Sequence, residues 1–372
     1  MSRESLTPTE MNRYARHLVL PNFGLEAQMR LKQSSVLVIG AGGLGSPILL
    51  YLAAAGVGCL GIVDFDRVDL SNLQRQVLYD ETDIGAWKAE RAAQKLQQLN
   101  SDIQVKPHCT RLSRENALEL FAPYDLIIDG SDNFPTRYLA NDAAVLAGKP
   151  YVYGAIYRFE GQVAVFNALR SDGSRGPNYR DLHPTPPPPE LVPNCQEGGV
   201  LGVLPGIIGS MQAMEAIKLL AGLPCALDGR LFLYDALEWR TMTIEIPKNP
   251  AVKIAELVDY EIFCGLTPAI AALSPHDLKA RLQANEPLQL IDVRENHERV
   301  KGHIGGLHIP LAALPDQLER IDPSHTVVVY CQSGKRSERA LQIIANNIQV
   351  PRLYHLAGGI AAWELENTVT AS

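Results

Sequence analysis

The sequence predicts a chain of two α/β domains, a doubly wound parallel sheet followed by a smaller α/β unit. Three observations carry this expectation. Val36–Asp66 reads as an apolar run, a glycine cluster, a small-residue helix, a second apolar run and an acid. Tyr124–Ala147 repeats the plan: the strand YDLIID runs into Asp129-Gly130-Ser131-Asp132-Asn133 and then a helix. From Ser274 the texture changes, and a further strand-to-helix turn is built around Cys331. At 372 residues, two domains are the natural division.

The first stretch is Rossmann-like. Gly40, Gly42 and Gly45 have the G-x-G-x-x-G spacing, and Gly43 lies among them. The first glycine permits a tight turn, the second lets a phosphate approach the backbone, and the third lets helix and strand pack closely. The N-terminus of the following helix presents free N–H groups to an anion. Asp64, 19 residues after Gly45, stands where an acid bonds a ribose hydroxyl. The turn selects a nucleotide without saying which.

Net charge is −7, which gives no sign of nucleic-acid binding. The N-terminal residues 1–10 are polar and lack the apolar stretch of a signal peptide. Gly45–Val63 is uncharged but reads as a buried helix plus strand, so no membrane span is expected. Six cysteines without C-x-x-C spacing indicate a reduced, cytoplasmic protein whose important cysteines act as thiols.

Taken in order, Thr7–Leu20 reads as an amphipathic helix, with apolar Met11, Tyr14 and Leu18 and a basic face of Arg13, Arg16 and His17. After Asp64 comes a polar loop, Val68–Tyr79, holding Asn72, Gln74, Arg75 and Gln76. A loop at the carboxyl end of a parallel strand is where such sheets bind ligands. Helix Ala86–Leu99 carries Lys88 in its first turn, against the helix dipole; a bound phosphate would resolve that conflict. Strands are expected at Ile103–Lys106, Tyr151–Ile156, Gln162–Phe166, Arg230–Asp235 and Arg240–Ile246. Helices are expected at Arg114–Phe121 and Leu204–Leu220. Asp132, beside a triphosphate, would hold Mg²⁺; the plainer reading of Asp129–Asn133 is a helix-capping turn. Ser171–Asn194 is a long polar, proline-rich loop, and Cys195 follows it in NCQEGGVLG. In the second half, Ser274–Ala284 is a capped helix, Leu288–Val293 a strand, and Thr326–Tyr330 a strand that feeds Cys331-Gln332-Ser333-Gly334-Lys335-Arg336-Ser337 and a helix, Glu338–Ile344. Loop N–H groups and the helix dipole favour a thiolate or persulfide at Cys331, and Arg336 adds a positive charge.

These pieces are similar to known families. RYARHLVL, GAGGLGSP, DFDRVDLSNLQRQ, DIGAWKAE, DGSDN, GQVAVF and IGSMQAMEAIKLL resemble the ubiquitin-activating superfamily in its MoeB/ThiF/HesA branch. LIDVRENHERVKGHIGGLHIP, CQSGKRS and LAGGIAAW resemble a rhodanese domain, and the fusion resembles the MoeZ-type activators. The resemblance implies an adenylation domain over 1–250, a linker over 251–271 and a rhodanese domain over 272–372. It implies that ATP and Mg²⁺ are used to adenylate the C-terminal glycine of a ubiquitin-like sulfur carrier ending in Gly-Gly. Asp64 would then hold the ribose, Asn72, Arg75 and Lys88 the phosphates, and Asp132 the Mg²⁺. Arg16 matches an arginine that reaches into the partner subunit's site, implying a homodimer. Cys331 would take sulfur as a persulfide, from a cysteine desulfurase or thiosulfate, and Cys195 matches a family cysteine that can form a thioester. The expected product is a carrier thiocarboxylate.

One departure stands out. Where many relatives of this kind carry two C-x-x-C pairs for zinc, this chain has Asn178 and Asp181, then Val252 and Ala255. Val252 and Ala255 cannot ligate a metal, so no structural zinc is expected. Two other readings remain: an adaptor that binds a ubiquitin-like protein without turnover, and a nicotinamide-dependent dehydrogenase. The SNLQRQ, Lys88 and DGSDN set is not needed for the latter.

Overall fold

The computed structural model describes residues 5–187, 199–265, 271–348, 350 and 352–369. It divides into two compact units, Met1–Cys264 and Gly265–Ser372.

The first unit is built on eight strands: β1 (Ser35–Ile39), β2 (Cys59–Val63), β3 (Gln104–His108), β4 (Leu126–Asp129), β5 (Tyr151–Tyr157), β6 (Glu160–Phe166), β7 (Arg230–Asp235) and β8 (Arg240–Glu245). Their order is β3-β2-β1-β4-β5-β6-β7-β8. The first five are parallel; β6, β7 and β8 add on antiparallel. β2 and β4 are buried along their whole length, because helices cover both faces of the parallel part. Helices Gly45–Ala55, Lys88–Leu99 and Leu204–Ala221 pack on one face, and Phe134–Leu146 on the other. The strand order reverses between β1 and β4, and a ligand crevice opens at the carboxyl ends of those strands.

The uncharged stretch after Gly45 is a helix of 11 residues followed by β2. Among the described residues no helix is long and apolar enough to cross a membrane. The single N-terminal helix expected over Thr7–Leu20 is two short ones, Pro8–Arg13 and Ala15–Leu18. Tyr14 breaks them apart: its ring is buried and its hydroxyl accepts from Asn100 at 2.9 Å, whereas Met11 is exposed. Part of the stretch expected to link the domains packs into the first unit. Asp259 caps the short helix Tyr260–Phe263, and Tyr260 and Cys264 join the core around Tyr138 and Tyr179.

The second unit is a five-stranded parallel sheet, β9 (Ala271–Leu273), β10 (Leu288–Asp292), β11 (Leu307–His308), β12 (Thr326–Tyr330) and β13 (Leu353–Leu356), in the order β11-β10-β12-β13-β9. β12 is central and wholly buried. It delivers Cys331 to the start of helix Lys335–Asn347.

Candidate active sites in the two domains

In the first unit the crevice is a cleft of about 590 Å³. Gly40, Gly42, Gly43, Asp64, Asn72, Arg75, Lys88 and Asp132 all line it. Gly40 has φ +86°, and a side chain there would press on the Gly130 carbonyl. Gly45, the first residue of its helix, stands against the end of β1, where a methyl group on it would overlap the Gly40 carbonyl. The helix that follows has no side-chain cap, but Ser46 N–H is taken by Gly42 O at 2.9 Å and Pro47 has no N–H, so an anion here must be met chiefly by the glycine turn and its neighbouring side chains.

Asp64 is buried, and its two oxygens accept from Ala41 N–H and Asp66 N–H, each at 2.8 Å. Burial pushes its carboxyl above the usual range despite those bonds. The acid thus clamps the glycine turn to the end of β2. The dipole conflict at Lys88 is met by protein: Lys88 is buried at the first position of its helix and its ammonium donates to Asp66 at 3.1 Å. Tyr79, which sequence reasoning did not single out, ties these pieces together. Its hydroxyl bridges the carbonyls of Ala41 and Lys88 at 2.9 and 3.2 Å. Asn72 closes a capping turn with Asp69, and the Arg75 guanidinium donates to Ser71 O at 3.1 Å.

The acid cluster after β4 divides its labour. Asp129 is fully buried and committed to Ser131 and to the Tyr151 hydroxyl at 2.7 Å. Asn133 caps helix Phe134–Leu146 by accepting from Thr136 N–H. Asp132 is left exposed at the cleft, and among the described residues no cation pairs with it. A hard cation beside a polyphosphate fits such a carboxylate. Arg137, missed in the sequence, also lines the cleft; it is buried 3.4 Å from Asp129 with its guanidinium 5.1 Å from the Tyr153 ring. Its signal was there in principle, one turn after Asn133 on the same helix face. Arg16 is exposed and does not line this cleft. Cys195 lies outside the described residues.

In the second unit Cys331 is buried in its loop. Gly334 N–H donates to its sulfur at 3.2 Å and the Ser337 hydroxyl approaches at 3.6 Å. Burial alone would push the thiol up; the Ser337 hydroxyl and the N–H groups of Ser337, Ser333 and Gly334 outweigh it and hold the thiol below its ordinary value. Arg336, expected to supply charge to the sulfur, forms a bidentate pair with Glu298 at 2.6 and 2.7 Å. Part of its charge is therefore spent elsewhere. The buried pair Asp292–Arg294 stiffens the end of β10, and Arg294 reaches Gln332 in the cysteine loop at 3.5 Å.

A glycine turn with an acid, several cations and an exposed carboxylate along one cleft of the first unit, and an N–H-cradled cysteine in the second, are the features of a nucleotide-using enzyme joined to a sulfur-handling one. The chain belongs to the ThiF family, whose model matches residues 14–254, and it carries a rhodanese-like domain over residues 274–366. It is 50% identical to the probable adenylyltransferase/sulfurtransferase MoeZ of Mycobacterium tuberculosis, over 96% of this chain and 94% of that one. It is 55% identical to the sulfur carrier protein adenylyltransferase of Thermus thermophilus, over 70% of this chain and 98% of the relative. It is 40% identical to the adenylyltransferase and sulfurtransferase MOCS3 of Danio rerio, over 96% and 86%. The crystal structure of MccB from E. coli with MccA-N7isoASN shares the fold, at TM-score 0.57 and 20% identity, over 65% of this chain and 74% of that one.

Proposed function

We propose that this enzyme adenylates the C-terminal glycine of a ubiquitin-like sulfur carrier with ATP and converts it to a thiocarboxylate. The observation that carries the reading is the convergence of the glycine turn, Asp64, Arg75, Lys88 and Asp132 on one cleft. The ribose sits against Asp64, and the polyphosphate lies over the glycine turn between Asn72, Arg75 and Lys88. Mg²⁺ held by Asp132 would neutralise phosphate charge and orient the leaving pyrophosphate. The carrier carboxylate oxygen bonds to the α-phosphorus as the bond to the β-phosphate oxygen breaks, giving acyl-AMP and pyrophosphate. Arg75 and Lys88 stabilise the charge that accumulates on the phosphate oxygens.

The Cys331 thiolate attacks the outer sulfur of a cysteine desulfurase persulfide, releasing the desulfurase thiolate, or of thiosulfate, releasing sulfite, and its cradle of N–H groups stabilises the persulfide anion. The terminal sulfur attacks the carrier acyl carbon and AMP leaves, or a Cys195 thiolate leaves if a thioester has formed first. The acyl disulfide so made is cleaved by a reducing thiol, which releases the thiocarboxylate. Arg16 completes the cleft of a second subunit in a homodimer. The exposed apolar residues Val19, Leu20 and Leu25 beside it support such an interface.

Carrier-dependent ATP–pyrophosphate exchange tests the first half. A dehydrogenase or an inert adaptor gives none. Single-turnover mass spectrometry of the carrier tests the second. Cys331→Ala is expected to keep exchange and lose the thiocarboxylate, and Cys195→Ala to keep exchange and slow the thiocarboxylate. Full thiocarboxylate yield from Cys331→Ala with a rhodanese-type donor would break the proposed coupling.

A further inference from the structure

Among the polar side chains of the loop Leu70–Tyr79 that the nucleotide reading leaves unused, Gln76 stands out by its burial. Gln76 is 4% exposed, yet its amide oxygen is buried without a hydrogen-bond partner among the described residues. Its backbone is fixed at both ends, by Gln76 N–H to Asn72 O at 2.9 Å and Tyr79 N–H to Gln76 O at 3.1 Å. The side chain faces the cleft over the glycine turn, where a methyl group on Gly42 would stand 3.5 Å from the amide nitrogen.

A buried amide oxygen without a donor is costly, so a ligand that brings one is favoured at this point. Phosphate oxygens only accept and cannot satisfy it. The cations that line the cleft are directed elsewhere, Arg75 toward Ser71 O, Lys88 toward Asp66, Arg137 toward Asp129 and Arg111 toward Glu261. A peptide at the cleft brings the missing group, an N–H, and its carbonyl can take the other end of the same amide. In a chain ending in glycine, the last peptide N–H is one carbon away from the carboxylate that attacks phosphorus.

Resting on the adenylation reading, we infer that the Gln76 side-chain oxygen accepts the terminal peptide N–H of the carrier and so positions the attacking carboxylate. Gln76 is then a determinant for an unsubstituted peptide tail, distinct from the groups that hold ATP. It orients the reacting carboxylate over the glycine turn, where a small displacement costs rate.

The test uses the full-length enzyme and a semisynthetic ubiquitin-like carrier ending in Gly-Gly. A second form of the carrier has glycolic acid in place of the last glycine, which exchanges the N–H for an ester oxygen. In ATP–pyrophosphate exchange the ester carrier is expected to show KM raised about tenfold with the wild-type enzyme. Gln76→Met, of similar volume, is expected to raise KM for the normal carrier by a similar factor. The variant should leave the ATP Kd within about twofold and respond no further to the ester, as coupled partners do. Equal KM for the two carriers with wild-type enzyme overturns the inference whatever the folding of the variant. So does a Gln76→Met enzyme that loses ATP affinity but keeps its carrier KM. Those outcomes leave adenylation standing. Absence of exchange by wild-type enzyme overturns the adenylation reading and this inference with it.

Discussion

The Lys88 ammonium is buried at the start of its helix, 3.1 Å from the Asp66 carboxylate, which is itself half exposed. The pairing explains how a cation is tolerated at a positive helix end. It also keeps the charge pointed at the cleft, where a polyphosphate can share it. Lys88→Ala is expected to lower carrier-dependent exchange by about 100-fold, the scale of losing one preorganised donor. Asp66 then turns to water, so the thermal midpoint should move little. A variant with near-normal exchange would remove Lys88 from the phosphate site.

Asp132 is exposed at the cleft, whereas Asp129 is locked into the floor. Asp132→Ala should therefore abolish exchange in the presence of Mg²⁺ and leave the folding transition unchanged. Asp129→Ala should instead destabilise the first unit, because it strands the Tyr151 hydroxyl and Arg137. Normal exchange in Asp132→Ala would exclude it from holding the metal ion.

Cys331 should alkylate as a thiolate at pH values where an ordinary cysteine is protonated, because its loop holds the thiol down. The thiolate contribution is fully present above the unfolded thiol value and is lost as pH falls through the lowered folded value. Ser337→Ala removes a donor to sulfur and is expected to shift the pH–alkylation midpoint upward. Arg336→Gln should shift it less, since Arg336 is shared with Glu298. The reverse order would make the guanidinium, not the donor cradle, the main support of the thiolate.

Asp142 takes Arg180 in a bidentate pair and the Tyr260 hydroxyl at 2.7 Å. This network ties helix Tyr260–Phe263 to helix Phe134–Leu146. Tyr260→Phe is expected to cost about 1 kcal/mol, one hydrogen bond. Asp142→Ala should cost ~3 kcal/mol, because it leaves the largely buried Arg180 unpaired. Thermal or urea unfolding of the two variants measures the difference.

The four positions where many related enzymes bind zinc are otherwise engaged or inert. Asn178 and Asp181 form a capping box, and Asp181 accepts from Asn249 N–H at 2.9 Å. Elemental analysis of purified protein is expected to give far less than one zinc per chain. Chelator treatment should leave the thermal midpoint unchanged.

The local signals were legible because they are local. Glycine spacing, apolar runs of strand length and the acids at strand ends placed β1, the anion turn, β2, Asp64 and Asp132 without any tertiary information. The same holds for β12, Cys331 and the helix behind it. Each of these depends on backbone conformation and burial within about 30 residues, the length of one strand–helix–strand unit.

Pairings across longer distances were decided by the tertiary structure alone. That the thiol is held by N–H and hydroxyl donors more than by Arg336 depended on Glu298, 38 residues away, capturing the guanidinium. Tyr260 was expected in a linker, yet it docks on Asp142, 118 residues earlier, since a buried aspartate needs its oxygens satisfied. Tyr14 split the first helix because Asn100 offered its hydroxyl a partner in the core. Gln76 was visible in the sequence as one polar residue among several. Only the packed loop shows that its oxygen is buried without a donor among the described residues. Sequence patterns fix the period and the turns of a chain; the partners of its polar groups are set by where distant elements meet, and a buried polar group costs free energy until that meeting supplies one.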